Sequence, residues 1–288
     1  MIDESEAYNQ GRKGGMGMHP GKLKTRRYKR AGRNRKWILL LLLGVLAAAG
    51  GYLYRQGELP PLDIAPSPTL TPGESAAEEK TIVLPGSIWY ALQLGVFEQE
   101  SAARQLAESF RSRGAGGAIL SSPPYRVLAA AYESRADAQQ VQLQLSNLHG
   151  VESYVHEIVC PEVTLKLRGQ RAQLSALADA CAALSQGAER LSALSRGLDQ
   201  HALGKEAVQD AMESEKNTFS ALAERMRALF GPSAPEAVRA LGDALSEISD
   251  ALAAARGISG ETALGAQVKY CQLLCIIRGQ EIALALSP

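Results

Sequence analysis

The chain has 288 residues, four cysteines and a formal net charge of +1, and its length leaves room for one or two folded domains. The charge is unevenly distributed: residues 1–36 carry eleven basic and three acidic side chains, a net +8, which leaves −7 for the remainder. An acidic remainder argues against a nucleic-acid-binding domain. The sequence contains no H-E-x-x-H motif, nucleophile elbow, phosphate-binding loop or C-x-x-C pair, so we expect no enzyme, no metal site and no cofactor.

The first 54 residues predict a membrane anchor. Residues 1–36 lack the apolar side chains of a core, and we expect a disordered cytoplasmic tail. Residues 37–54 hold no charge and have aromatic residues at both ends. As a helix at about 1.5 Å per residue they span about 27 Å, close to the thickness of a bilayer core.

The basic flank predicts a single-pass protein of the cell membrane with a cytoplasmic N-terminus and extracytoplasmic domains. A cleaved signal peptide is the alternative, because Ala47-Ala48-Ala49 also provides the small residues of a cleavage site. The proline-rich stretch 55–86 predicts an extracytoplasmic linker.

Residues 87–160 contain an internal repeat with an offset of 35 residues. Tyr90 aligns with Tyr125, Phe97 with Tyr132, and further matches follow in the helical parts. Each half begins with a strand pattern and continues as a helix, and a short apolar strand follows each helix. The predicted helices are Ser101 to Arg113 and about Ser134 to Leu148, and the second has an apolar face of Ala138, Val141, Leu145 and Leu148.

The resulting order is β-α-β-β-α-β, a split βαβ arrangement. It predicts a four-stranded sheet with both helices on one face and an open second face. The overall fold class is therefore α+β, with one transmembrane helix before this domain and an all-α region after it.

The repeat resembles the SPOR domain, the sporulation-related repeat of bacterial cell-wall and division proteins. The motifs are Tyr90-Ala-Leu-Gln-Leu-Gly-Val-Phe97 followed by Ser101-Ala-Ala-Arg, and Tyr125-Arg-Val-Leu-Ala-Ala-Ala-Tyr132 followed by Ser134-Arg-Ala-Asp-Ala. The resemblance implies binding of peptidoglycan glycan strands on the open face of the sheet. The family usually has Gly-Pro where this chain has Ala130-Ala131.

Strand alternation assigns side chains to the two faces of this sheet. Leu92, Leu94, Val127 and Ala129 are expected to face the helices, and Leu128 the open side. A sugar chain needs flat apolar surfaces and polar groups that pair with hydroxyls and carbonyls, and Gln and Arg side chains provide such groups. Core packing is the alternative for the aromatic members. The expected glycan-binding residues on the open face are Trp89, Gln93, Gly95, Arg126 and Tyr154.

Residues 163–288 are rich in Ala and Leu with apolar residues at helical spacing. They predict one further helix over about 206–230 and another from about Gly260 onward. Between these two, a capping box at Ser233 to Glu236 predicts the start of a helix that ends at Gly257. Either an intramolecular bundle or the seam of a dimer would bury such stripes, and we prefer the intramolecular bundle. We expect the bundle to offer a site for a protein partner.

The four cysteines are Cys160, Cys181, Cys271 and Cys275, and we expect them to be small buried apolar residues. A bridge between Cys160 and Cys181 is the alternative, which spacing does not decide.

The sequence thus predicts a non-catalytic membrane protein that binds peptidoglycan and localises to septal or sporulation-related cell wall. One alternative is a protein-interaction scaffold whose SPOR fold no longer binds glycan. The other is a degenerate wall hydrolase.

Overall fold

The computed structural model describes residues 77–120 and 123–287. The predicted tail and anchor, and the linker up to residue 76, lie outside the described residues. Among the helices of the described part, none is both long and apolar enough to cross a membrane.

The central strands form an antiparallel sheet that confirms the predicted β-α-β-β-α-β order. Its elements in chain order are β2 (Ser87–Phe97), α1 (Glu100–Arg111), β3 (Ala118–Ile119), β4 (Tyr125–Tyr132), α2 (Arg135–His149) and β5 (Tyr154–Cys160). In space the strand order is β3-β4-β2-β5. The two strands that begin the sequence repeats, β2 and β4, are therefore neighbours at the centre.

Helices α1 and α2 pack on the same face of this sheet, as predicted. Leu92 and Ala129 pack with Ala138 of α2, and Val127 packs with α1. Helix α2 begins where predicted, because the Ser134 hydroxyl accepts a hydrogen bond from the backbone N–H of Ala136 at 3.2 Å.

The predicted apolar face of α2 is only partly buried. Ala138 is fully covered, whereas Leu148 is 74% exposed, so its predicted burial is wrong. Val141, Leu145 and His149 of α2 line a cleft.

A second, two-stranded sheet pairs β1 (Glu78–Leu84) with β6 (Val163–Gly169) in antiparallel fashion. Neither strand was predicted: β1 lies in the stretch assigned to the linker, and β6 at the start of the region assigned to helices. The helical region begins at Arg171 instead of Val163. The alternating sequence of β6, Val-Thr-Leu-Lys-Leu-Arg-Gly, has the two-residue period of a strand, which the Ala/Leu-rich composition behind it obscured.

Four helices form the predicted C-terminal bundle. They are α3 (Arg171–Asp199), α4 (Lys205–Phe230), α5 (Glu236–Ala253) and α6 (Glu261–Leu286), with a short 3₁₀ turn at Ala254–Gly257. The predicted capping box is wrong, because Pro235 occupies the N-cap of α5 and no side chain caps that end. All four cysteines are buried free thiols, as we preferred from the sequence.

The last helix lies between the bundle and the sheet. One core contains Leu273 and Ile276 of α6 together with Trp89, Leu128 and Ile158 of the sheet. The second face of the sheet is therefore not open as predicted, since α6 covers a large part of it. The physical reason is that α6 is apolar on all sides: fourteen of its residues are buried, among them the continuous run from Cys271 to Ile277. Such a helix needs packing partners around its whole circumference.

Candidate functional site

The contact with α6 divides the second face of the sheet into a covered part and an uncovered end. In the covered part, the Gln272 amide donates to the Ala131 carbonyl at 3.1 Å and the Gln280 amide donates to the Val159 carbonyl at 3.0 Å. Trp89 and Ile158, which are paired across β2 and β5, lie beneath the helix. The covered part is thus the start of β2 with the ends of β4 and β5.

The uncovered end lies where β2 ends and where β4 and β5 begin. Residues directly opposite each other in an antiparallel pair share a face. Gln93 is opposite Tyr154, Ala91 is opposite His156, and Val96 is opposite Arg126. We call five of these residues the uncovered patch: Gln93, Val96, Arg126, Tyr154 and His156.

A charge-assisted hydrogen bond organises the patch. The Arg126 guanidinium donates to the Gln93 side-chain oxygen at 2.7 Å. Gln93 is only 8% exposed, so it is almost fully covered. The contact orients the Arg126 fork while Arg126 itself stays partly accessible.

The flanks of the patch add an aromatic and a titratable group. Tyr154 is 63% exposed and presents a ring and a hydroxyl to solvent. Burial, and then the positive charge of Arg126, lower the pKa of His156. The imidazole is therefore neutral at neutral pH and can both donate and accept a hydrogen bond.

A β-bulge moves one predicted site residue to the other face. Between Ala91 and Gly95 the pairing of β2 with β4 shifts twice, so simple alternation fails there. A side chain at Gly95 would meet the Phe97 ring at 2.9 Å and Leu106 of α1 at 3.0 Å. Gly95 therefore faces the helices, and its expected position on the second face is wrong.

The structure brings three of the five predicted residues together and separates two. Gln93, Arg126 and Tyr154 meet in the uncovered patch, but Gln93 is 8% exposed, so its expected access to solvent is wrong. Trp89 is on the predicted face, but it is 5% exposed beneath α6, so its expected access to solvent is wrong. Core packing, the alternative that the sequence left open for the aromatics, describes Trp89.

Two members of the patch, Val96 and His156, were missed from the sequence. Val96 changes face only because of the bulge, and no local pattern marks it. His156 could have been found, since it lies two residues from Tyr154 on a predicted strand and therefore shares its face.

Helix α6 is packed too tightly on the sheet for a weak ligand to displace it. Leu273, Ile276 and Ile277 are each at most 3% exposed. Exposing three such side chains costs about 5 to 9 kcal/mol at about 1.5–3 kcal/mol each. A ligand that binds with a micromolar dissociation constant provides only about 8 kcal/mol in total. A ligand of the second face that leaves α6 in place therefore contacts the uncovered patch.

Comparison with known proteins agrees with this fold. Residues 86–156 match the family model of the SPOR domain, so this part of the chain is a SPOR domain. The SPOR domain is a peptidoglycan-binding domain and not a catalytic one. The match does not extend into the helical region. No curated protein and no solved structure matches the chain.

Proposed function

We propose that this SPOR-domain protein is a non-catalytic cell-wall protein that binds peptidoglycan glycan strands through the uncovered patch. The observation that supports the proposal is the position of Gln93, Arg126 and Tyr154. They lie together at one end of the second face, and within the described sheet this is the only end of that face that α6 leaves accessible. An oriented guanidinium pairs with acetamido carbonyls and hydroxyls, and an exposed tyrosine ring offers a flat apolar surface to a sugar ring.

We also propose that the protein is anchored in the cell membrane. The uncharged run 37–54 and its basic flank support an anchor in the cell membrane, with the SPOR domain and the bundle on the extracytoplasmic side. A glycan-binding domain on this side of the membrane would localise the protein to septal or sporulation-related wall. The bundle would then recruit a partner there.

The experiment is a pull-down of the purified full-length chain with peptidoglycan sacculi. Sacculi are used untreated and after an amidase has removed the stem peptides. The isolated fragment 87–160 is unsuitable, because without α6 it would expose Trp89, Leu128 and Ile158. We expect binding that rises on removal of the stem peptides.

Two variants test the site itself. Tyr154→Ala and Arg126→Ala should each reduce binding about tenfold, the effect of losing about 1.4 kcal/mol of contact. Leu143→Ala is the matched control, because Leu143 is 62% exposed on α2, outside the sheet. Equal binding by all four proteins would contradict the proposed site.

A second candidate function is a protein-interaction scaffold whose SPOR fold no longer binds glycan. The burial of Trp89 beneath α6, with most of the second face, favours it. Absence of binding to both preparations of sacculi would support this candidate over the first.

A further inference from the structure

A second accessible site lies on the opposite face of the sheet, in a cleft between α1 and α2. Its floor is Leu92, Leu94 and Tyr132, and its walls are Phe110 of α1 with Val141 and Leu145 of α2. The cleft has a volume of about 290 Å³. We call it the helix-side cleft.

The apolar surface continues beyond the cleft along α2. At 100° per residue, Leu148 lies on the same side of the helix as Val141 and Leu145. Leu148 is 74% exposed, and along α2 it lies between Leu145 and His149, which both line the cleft. Small-molecule pockets begin at about 300 Å³ and bury most of their ligand. A small molecule in this cleft would leave Leu148 uncovered, whereas a helix laid along the groove would cover it.

The rim of the cleft carries a surplus of positive charge. Lys269 lies at 2.8 Å from Asp199, and these two charges neutralise each other. Arg113 stacks over the Phe110 ring at 4.7 Å and forms no ion pair with any described residue. The remaining titratable group of the rim is His149. Asp137 acts on Tyr132 through its charge but does not line the cleft, so Arg113 provides the unpaired charge among the lining residues, which favours an acidic partner.

We propose that the helix-side cleft binds an amphipathic helix of a partner protein. Its apolar side chains, at positions i, i+3 or i+4, and i+7, fill the groove from Leu94 to Leu148, and an acidic residue beside them pairs with Arg113. This surface is separate from the glycan site, because it lies on the face of the sheet that carries α1 and α2. It does not depend on wall binding.

The test uses a displayed library of helical peptides, each with one randomised face. The full-length chain is held in lipid nanodiscs, since detergent would compete for an apolar groove, and empty nanodiscs remove peptides that bind lipid. The clones are then compared on three proteins: the wild type, Leu148→Glu and Leu143→Glu. Leu143 is the matched control, because it is similarly exposed on α2 but lies about 160° away from Leu145 around the helix.

We expect enriched clones to carry apolar residues at helical spacing with Asp or Glu beside them. They should bind Leu143→Glu as they bind the wild type, and lose at least tenfold in affinity for Leu148→Glu. Arg113→Glu should reverse the preference from acidic to basic clones. No enrichment over empty nanodiscs, or clones that bind Leu148→Glu as well as the wild type, would overturn the proposal.

One further outcome would also overturn it. If decanoate, a short anionic amphiphile, binds the wild type and not Leu148→Glu while no peptide is enriched, the cleft is a lipid site. All three substitutions are at exposed positions, and a thermal unfolding measurement on each variant verifies that it is folded.

Discussion

Substitution of Gly116 by alanine tests the contact between α6 and the loop before β3, in which the Gly116 N–H donates to the Ala129 carbonyl of the sheet. A Cβ at this position would lie 2.9 Å from a methyl carbon of Leu273, 3.0 Å from the Lys269 carbonyl carbon and 3.0 Å from the Tyr270 nitrogen. The leucine methyl can rotate away, but the two backbone atoms belong to the middle of α6 and move only if the helix moves.

Overpacking of this kind costs about 1–3 kcal/mol. For a folded region of this size, each kcal/mol lowers the melting temperature by about 2–4 °C. A cost of about 2 kcal/mol therefore predicts a melting temperature about 4–8 °C lower for Gly116→Ala, measured by circular dichroism and by urea unfolding.

Gly279→Ala is the matched control on α6 itself. A Cβ there meets no atom within 4 Å, so the substitution only removes the conformational cost of a glycine inside a helix. It should stabilise the protein by about 0.5–1 kcal/mol. If Gly116→Ala is as stable as the wild type or more stable, the close contact of α6 with the loop before β3 is wrong.

Three further predictions concern single side chains. Gln93→Ala removes the acceptor of the Arg126 hydrogen bond at a nearly buried position, so it should lower the free energy of unfolding by about 1 kcal/mol in urea titration, and no change would show that this bond is absent. Leu92→Asp buries an unpaired charge and should cost on the order of 4 kcal/mol or more. Leu94→Asp, at a partly exposed position in the floor of the helix-side cleft, should cost less, and the reverse order in chemical denaturation would refute the assignment of these side chains. Burial raises the pKa of the Cys181 thiol to about 11. Burial of the neutral thiol therefore contributes fully to stability below the ordinary thiol pKa of about 8.5, and this contribution is lost as the pH rises toward 11. Cys181→Ala should therefore weaken the fall in unfolding free energy between pH 8 and pH 11, and an unchanged pH dependence would contradict it.

Much of the SPOR domain could be predicted from the sequence because its signals are local. The repeat of 35 residues places β2 and β4, and Ser134 marks the start of α2 by its capping oxygen. Alternation correctly assigned Leu92 and Val127 to the helices. Leu92 lies within the irregular pairing of β2 with β4, but it keeps its face because its pairing with Val155 of β5 is regular.

The errors arose where distant parts of the chain decide the structure. Gly95 changes face because of a bulge that depends on the pairing with β4. Strands β1 and β6 are about 80 residues apart along the chain and form only as a pair. The burial of Trp89 depends on α6, and the sequence did contain one clue. The run from Cys271 to Ile277, apolar except for Gln272, is broader than the single stripe of a helix at the edge of a bundle.

The most direct test of the account is a nuclear magnetic resonance titration of the full-length chain with soluble glycan fragments that lack stem peptides. Glycan binding at the uncovered patch predicts chemical-shift changes confined to that patch, in particular at Tyr154, His156 and the Arg126 side chain, with the Trp89 indole and α6 unchanged. Shifts at Trp89 and along α6 would show that glycan displaces the helix, and the absence of any shift would show that the SPOR sheet of this chain does not bind glycan.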